Sequence, residues 1–186
     1  MLNEPEGHAR RLAGLPPLVS PCTAVLVLGS FPGAASLRAS QYYGHPQNHF
    51  WRILQAIWPQ HPLPVGPDSY GQRCQWLLDR RLGVWDVYAS CVRKGSLDAA
   101  IRDAVLNDFA ALRVQCRQLS AVAHNGAESF SHATLVASSL RGVESGGTEP
   151  AIESIKLPST SPANATWSFE RKLEAWADLM ARHGLL

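Results

Sequence analysis

The sequence predicts an α/β protein, a three-layer α/β/α sandwich around a central four-stranded parallel sheet. Three observations lead there. The apolar run Thr23 to Leu28 has no polar alternation, as expected of a parallel strand covered on both faces. Further strand-like runs alternate with helical spacing, which implies right-handed crossovers and helices on both sides of the sheet. Each run ends in a loop of small and polar residues, which places four such loops on the sheet edge where open α/β proteins bind ligands.

Composition narrows the possibilities. The 186 residues are expected to fold as one domain, 1–186, with 1–21 as an irregular N-terminal segment and a core that needs no staples. A net charge of +2 means that binding to an acidic partner requires a local basic patch rather than a global field. Cys22, Cys74, Cys91 and Cys116 form no C-x-x-C pair, so neither a zinc nor an iron–sulfur site is expected, and no cofactor. They read as reduced and mostly buried. Met1 to Pro21 lacks the apolar centre of a signal peptide, and no stretch approaches the roughly 18 apolar residues of a membrane span. A soluble, cytoplasmic protein with no membrane partner is expected.

Each element follows from local pattern. After the first strand, Gly29 to Gly33 make a turn, and a long polar and aromatic loop runs to Asn48. Asn48 to Trp58 places Phe50, Trp51, Leu54 and Ile57 at near-helical spacing and stops at Pro59. His61 to Asp68, with Pro62, Pro64 and Pro67, reads as irregular. Ser69 to Arg81 resumes helical spacing, and Gly83 to Ala89 is the second strand, running into Ser90 to Ser96 as a polar turn. Asn107 is placed to cap a helix through Gln118. Leu119 to Ala123 is the third strand, Ala127 to Leu140 a helix, Arg141 to Pro150 a glycine-rich loop, Ala151 to Leu157 the fourth strand, and Trp167 to His183 the final helix.

The loops carry the candidate chemistry. Backbone amides at Gly29, Ser30 and Gly33 and the hydroxyls of Ser159, Thr160 and Ser161 suit anionic oxygens, phosphates above all. Phe31, Tyr42 and Tyr43 offer aromatic faces for a nucleobase, or ordinary packing. Asn125 offers one acceptor and two donors to a base edge, or stands as a turn asparagine. Asn48 is a candidate catalyst or a helix cap, and His45 and His124 are loop histidines within reach of the same edge. Arg93 and Lys94 suit phosphate contact or a solvated surface pair.

Laid out in this way, residues from about Thr23 to the C-terminus resemble the uracil-DNA glycosylase superfamily, and within it the hypoxanthine-DNA (deoxyinosine) glycosylase branch. GSFPG stands where the superfamily has GQDPY or GINPG. HNG matches the position of a base-recognition asparagine, and LPSTSPANA that of HPSPLS or NPSGLS. YYGHPQNHFW and the R-x-G-S-x-D stretch, Arg93 to Asp98, are similar to that branch.

The resemblance implies a monofunctional glycosylase that flips a deaminated base out of DNA and hydrolyses its N-glycosidic bond. Phe31 replaces the usual water-activating Asp or Asn, so Asn48 is implied as the catalytic residue. Leu157 replaces an electrophilic His, which leaves Asn125, loop amides, His45 or His124 to stabilise the leaving base. Gly33 replaces a blocking tyrosine and opens the pocket to a purine. Gly29, Ser30, Phe31, Gly33, Tyr43, His45 and Asn125 are the implied base-binding set. Arg93, Lys94, Ser96, Ser159, Ser161 and Asn164 are the implied DNA contacts. A monomer acting on DNA with a deaminated base is expected, without metal and without a lyase step, because none of Lys94, Lys156 and Lys172 is clearly in the pocket. Two rivals stay open: a mismatch-directed uracil or thymine glycosylase, and a protein that binds damaged DNA or nucleotides without cleaving.

Overall fold

The computed structural model describes residues 10–66, 68–141 and 151–186. The first nine residues of the expected irregular segment, Pro67, and residues 142–150 of the expected glycine-rich loop lie outside it.

The central sheet has four parallel strands. β2 (Val25–Gly29), β3 (Leu82–Asp86), β6 (Ala121–Asn125) and β7 (Glu153–Leu157) lie in the order β3-β2-β6-β7. Every residue of β2 and β3 is buried, as the unbroken apolar runs require. Gly29 stands beside Asp86, Leu28 beside His124, and Asn125 beside Leu157, so the carboxyl ends of all four strands meet at one edge.

Helices flank this sheet on both sides. α2 (Phe50–Ile57) packs on α7 (Phe169–Arg182), with Phe50 edge-on to Trp176 at 5.8 Å. α4 (Phe109–Gln115) packs on α6 (Ala133–Arg141), with Phe109 edge-on to Trp85 of β3. α3 (Tyr70–Asp79) lies against β3, and the short α5 (Ala127–Ser131) opens from Gly126. Gly126 has φ +112, a conformation that favours glycine, and a Cβ there would also sit in tight contact with Ser159 at 3.1 Å.

Several expectations are corrected. The run read as one strand, Gly83 to Ala89, is two: Val87 and Tyr88 bond to the carbonyls of Gly29 and Ser30, and the chain then leaves the parallel sheet. Residues read as a polar turn begin inside β4 (Tyr88–Val92). This strand is the centre of a separate antiparallel sheet between β1 (Arg11–Ala13) and β5 (Arg102–Leu106). The N-terminal segment is therefore structured from Arg11. It runs on to pair Leu18 with Val84 of β3, and the Tyr42 hydroxyl bonds to the carbonyls of Leu15 and Pro16.

The long loop before Asn48 contains a further helix, α1 (Ala34–Ala39). Asn107 does not cap α4; Asp108 does, accepting from Ala111 N at 3.0 Å, while Asn107 Nδ2 donates to the Asp86 carbonyl at 2.9 Å. The helix expected from Ala127 to Leu140 is broken at His132. Of the four free cysteines, Cys91 and Cys116 are buried and Cys22 is exposed.

Candidate functional site

A cleft of about 810 Å³ opens where the four strands end, a volume typical of small-molecule sites. One wall is the turn from Gly29 through α1, and another the Asn125–Glu128 turn. The segment from Lys156 to Asn164, followed by Trp167, supplies a third. Tyr42, Tyr43, His45 and Asn48 close it from the α1–α2 loop, and Ser96, Leu97 and Asp98 from beyond β4. A second hollow of about 560 Å³, between Pro21 and residues 114–118, lies by the opposite ends of the strands, away from the converging loops.

The wall built by Asn48 is rigid. Its Oδ1 accepts from Phe50 N at 2.9 Å, and its own amide donates to the His45 carbonyl at 2.9 Å. The next amide, His49 N, bonds to the Thr160 carbonyl, which ties this loop to the one after β7. One lone pair of Asn48 Oδ1 is committed to Phe50, and the oxygen has a second. His45, exposed at the mouth, accepts from Gln47 N through Nδ1 at 3.2 Å.

Tyr43 is held harder than packing alone requires. Its ring stacks on Phe50 with centroids 3.9 Å apart, its φ of +53 is left-handed, and its hydroxyl accepts from Asn125 Nδ2. Left-handed backbone at a large non-glycine residue persists only where surrounding contacts over-determine it.

The loop after β7 is folded on its own hydroxyls. Ser159 Oγ accepts from Ser161 N, and Ser161 Oγ from Ala163 N, both at 3.2 Å, so each O–H proton remains to be donated. Asn164 donates to the Ser159 carbonyl and accepts from the Thr166 hydroxyl. From beneath, the buried Lys172 donates through Nζ to the Asn164 carbonyl at 3.0 Å; burial holds its pKa below the ordinary lysine value.

The chain as a whole matches a known family. A sequence profile of the uracil DNA glycosylase superfamily matches residues 16–180. The chain belongs to the uracil DNA glycosylase superfamily. The hypoxanthine DNA glycosylase of Methanosarcina barkeri is 35% identical over 173 residues, spanning 91% of this chain and 98% of the relative. That of Methanosarcina acetivorans is 33% identical over 161 residues, spanning 87% and 93%. The solution NMR structure of a candidate uracil DNA glycosylase from Methanosarcina acetivorans superposes with a TM-score of 0.75 at 31% identity, covering 94% of this chain and 99% of that one.

Within this glycosylase fold, the residues singled out from sequence divide. Gly29, Ser30, Phe31, Gly33, Tyr43, His45, Asn48, Ser96, Asn125, Ser159, Ser161 and Asn164 all line the cleft. Gly33 faces Ser96, and a Cβ there would meet only ordinary contact at 3.8 Å, so the backbone itself does not demand glycine at this position. Lys94 is exposed and lies outside the cleft lining.

Arg93 departs from the expected surface cation. It is 7% exposed, donates to the Pro32 carbonyl and lies 5.0 Å over the Phe31 ring, so it braces the Phe31 turn from within. His124 also faces away from the cleft chemistry: it is fully buried, bonded to Ser129 Oγ through Nδ1, and burial lowers its pKa to about 4. Lys156, which the sequence did not clearly place in the pocket, is among its lining residues, with Nζ 5.8 Å from the Phe130 ring centroid.

Sequence reading missed the acidic groups. Asp86, Asp98 and Glu128 line the cleft, and Asp98 accepts from Ser30 Oγ at 2.6 Å. Burial, reinforced by Asp98 and opposed by Arg93, raises the Asp86 carboxyl to about 7. A lone carboxylate inside the apolar run GVWDVYA was the available signal. Among the described residues no group of three or more His, Cys, Asp or Glu side chains is placed to hold a metal ion, and no helix is long and apolar enough to cross a membrane.

Proposed function

We propose that this protein is a monofunctional glycosylase that acts as a monomer on DNA, extrudes hypoxanthine from an inosine-containing duplex and hydrolyses its N-glycosidic bond. The observation that carries the reading is the fixed Asn48 carboxamide in the wall of a cleft left open at Gly33.

Extrusion costs a few kcal/mol, least for a mispaired nucleotide such as inosine, so damage is selected before the pocket is reached. Inside, Asn48 Oδ1 is locked by Phe50 N and accepts a hydrogen bond from a water with its remaining lone pair, turning the water's own lone pair toward the sugar C1′; the proton the water releases balances the charge on the departing base. As the bond breaks, positive charge grows on the sugar and negative charge on the base, and the amides of the Gly29–Gly33 turn are the donors available to the latter. The hydroxyls of Ser159 and Ser161 donate to phosphates flanking the extruded nucleotide, and Lys94 extends the contact as a mobile cation. The curated relatives, both hypoxanthine DNA glycosylases aligned over most of their length, support the substrate choice.

Single-turnover cleavage of duplexes carrying one inosine, uracil, or thymine opposite guanine, developed with alkali, tests the proposal. Preferential strand scission at inosine is expected. Scission at uracil or thymine instead moves the substrate to the mismatch-directed reading, and binding without scission removes the enzyme.

A further inference from the structure

Both donors of the Asn125 carboxamide are already spent. Its Nδ2 donates to Tyr43 Oη at 3.1 Å and to Thr160 Oγ1 at 2.9 Å, and its Oδ1 accepts from Thr160 N at 2.9 Å. A carboxamide has two N–H donors, and both are used within the protein. The carbonyl O6 of an extruded base must therefore find its donor in another group.

Across the cleft, Asp86 ends β3 with 6% exposure, and its Oδ2 is buried without a hydrogen-bond partner. The carboxyl is fixed from behind. Asn107 Nδ2 holds the Asp86 carbonyl at 2.9 Å, and Gly29 in the adjacent strand leaves the space that Oδ1 fills, where any Cβ would collide. A buried polar atom without a partner is costly, and a ligand that supplies the partner recovers that cost.

We propose that Asp86 reads the polar edge of the extruded base. The inference rests on the glycosylase reading above. As a carboxylic acid, Asp86 presents an O–H donor beside a C=O acceptor, the complement of O6 and N1–H of hypoxanthine, so two hydrogen bonds close one ring. As a carboxylate it presents only acceptors and repels O6.

The surroundings favour the acid. Asp98 on the far side of the Ser30 hydroxyl and the phenols of Tyr42 and Tyr43 face the group, while β2 and β6 present only the uncharged Gly29 and Asn125. Arg93 is the one opposing charge among these neighbours, and it donates to the Pro32 carbonyl. Glu128, His45 and Lys156 line the same cleft. Burial lifts the carboxyl to about 7, so recognition weakens as the pH rises through neutrality.

The test is single-turnover cleavage by wild type, Asp86→Asn and Asp86→Ala, from about pH 5 to 9. The duplexes carry inosine or nebularine, a purine nucleoside with hydrogen in place of O6. Wild type is expected to prefer inosine and to lose rate on it about tenfold per pH unit above the transition. Asp86→Asn, with a permanent donor and acceptor, retains preference for inosine and loses that decline. Asp86→Ala loses at least about tenfold of the inosine-to-nebularine ratio. An Asn variant that keeps the wild-type pH profile overturns the proposal, as does an Ala variant that keeps the wild-type ratio. The isosteric Asn variant carries the test if the Ala variant unfolds. Wild type that leaves inosine intact at every pH contradicts the glycosylase reading itself.

Discussion

The carboxyl oxygen Oδ1 of Asp86 occupies the space in which a side chain on Gly29 would begin. The two residues are register partners at the ends of β3 and β2, so the glycine and the buried acid are one structural unit. Gly29→Ala must therefore displace either a central strand or the carboxyl. A cost of about 1–3 kcal/mol in urea denaturation is expected, as for overpacking elsewhere. Adding Asp86→Ala removes the collision, so the double variant should recover most of that loss. Strictly additive costs in the cycle would show that the two side chains do not compete for this space.

Folding raises the Asp86 carboxyl from an ordinary 3.8 to about 7. Between these values the folded chain holds a proton that the unfolded chain has released. The native state is thus penalised progressively as the pH climbs from about 4 to about 7, by on the order of 4 kcal/mol in the limit. Asp86→Asn carries no such penalty. Urea denaturation at both ends of the window should show wild type losing stability relative to Asp86→Asn as the pH rises; a constant difference would mean that Asp86 ionises freely in the fold.

Asn125 ties the Tyr43 hydroxyl and Thr160 together across three loops. Asn125→Ala leaves the Thr160 amide without its acceptor and removes three hydrogen bonds, with an expected loss of about 2–4 kcal/mol. The inosine-to-nebularine preference of the surviving folded enzyme should not change. A stable variant with altered preference would return base reading to this residue.

Arg93 and Lys94 are neighbours in sequence with opposite surroundings. Lys94→Ala should leave the melting temperature unchanged and lower the slope of log Kd against log salt by about one. Arg93→Ala should instead destabilise the protein, because it removes the brace under Pro32 and Phe31, with little change in slope. The reverse pattern would place the Arg93 guanidinium on DNA.

The parallel sheet was legible because β2, β3 and β6 are apolar runs whose burial leaves no alternative period. The antiparallel sheet was not. Arg102–Leu106 exposes its first four residues and Arg11–Ala13 is three residues long, so neither has an apolar face to betray it. The cleft was legible through its small-residue loops, since glycine, serine and proline mark strand ends whatever the ligand. Asp86 was hidden for a different reason. Its neighbours Trp85 and Val87 fit a buried strand, and only register against Gly29 shows that the one acid in the run points into the site. The partners of Asn125 and Arg93 were hidden because hydrogen-bonding capacity can be read from residue type, whereas its prior commitment to Tyr43, Thr160 or Pro32 depends on folding.

The most direct test of the account compares wild type with Asn48→Ala in single-turnover release of hypoxanthine from an inosine duplex. Wild type should release hypoxanthine, and the variant should be slower by about 10²-fold or more, since the group that orients the water is gone. The melting temperature should drop only by the amount expected for about 1 kcal/mol, the worth of the Phe50 N–H bond. A variant that releases hypoxanthine as fast as wild type would contradict the central role given to Asn48.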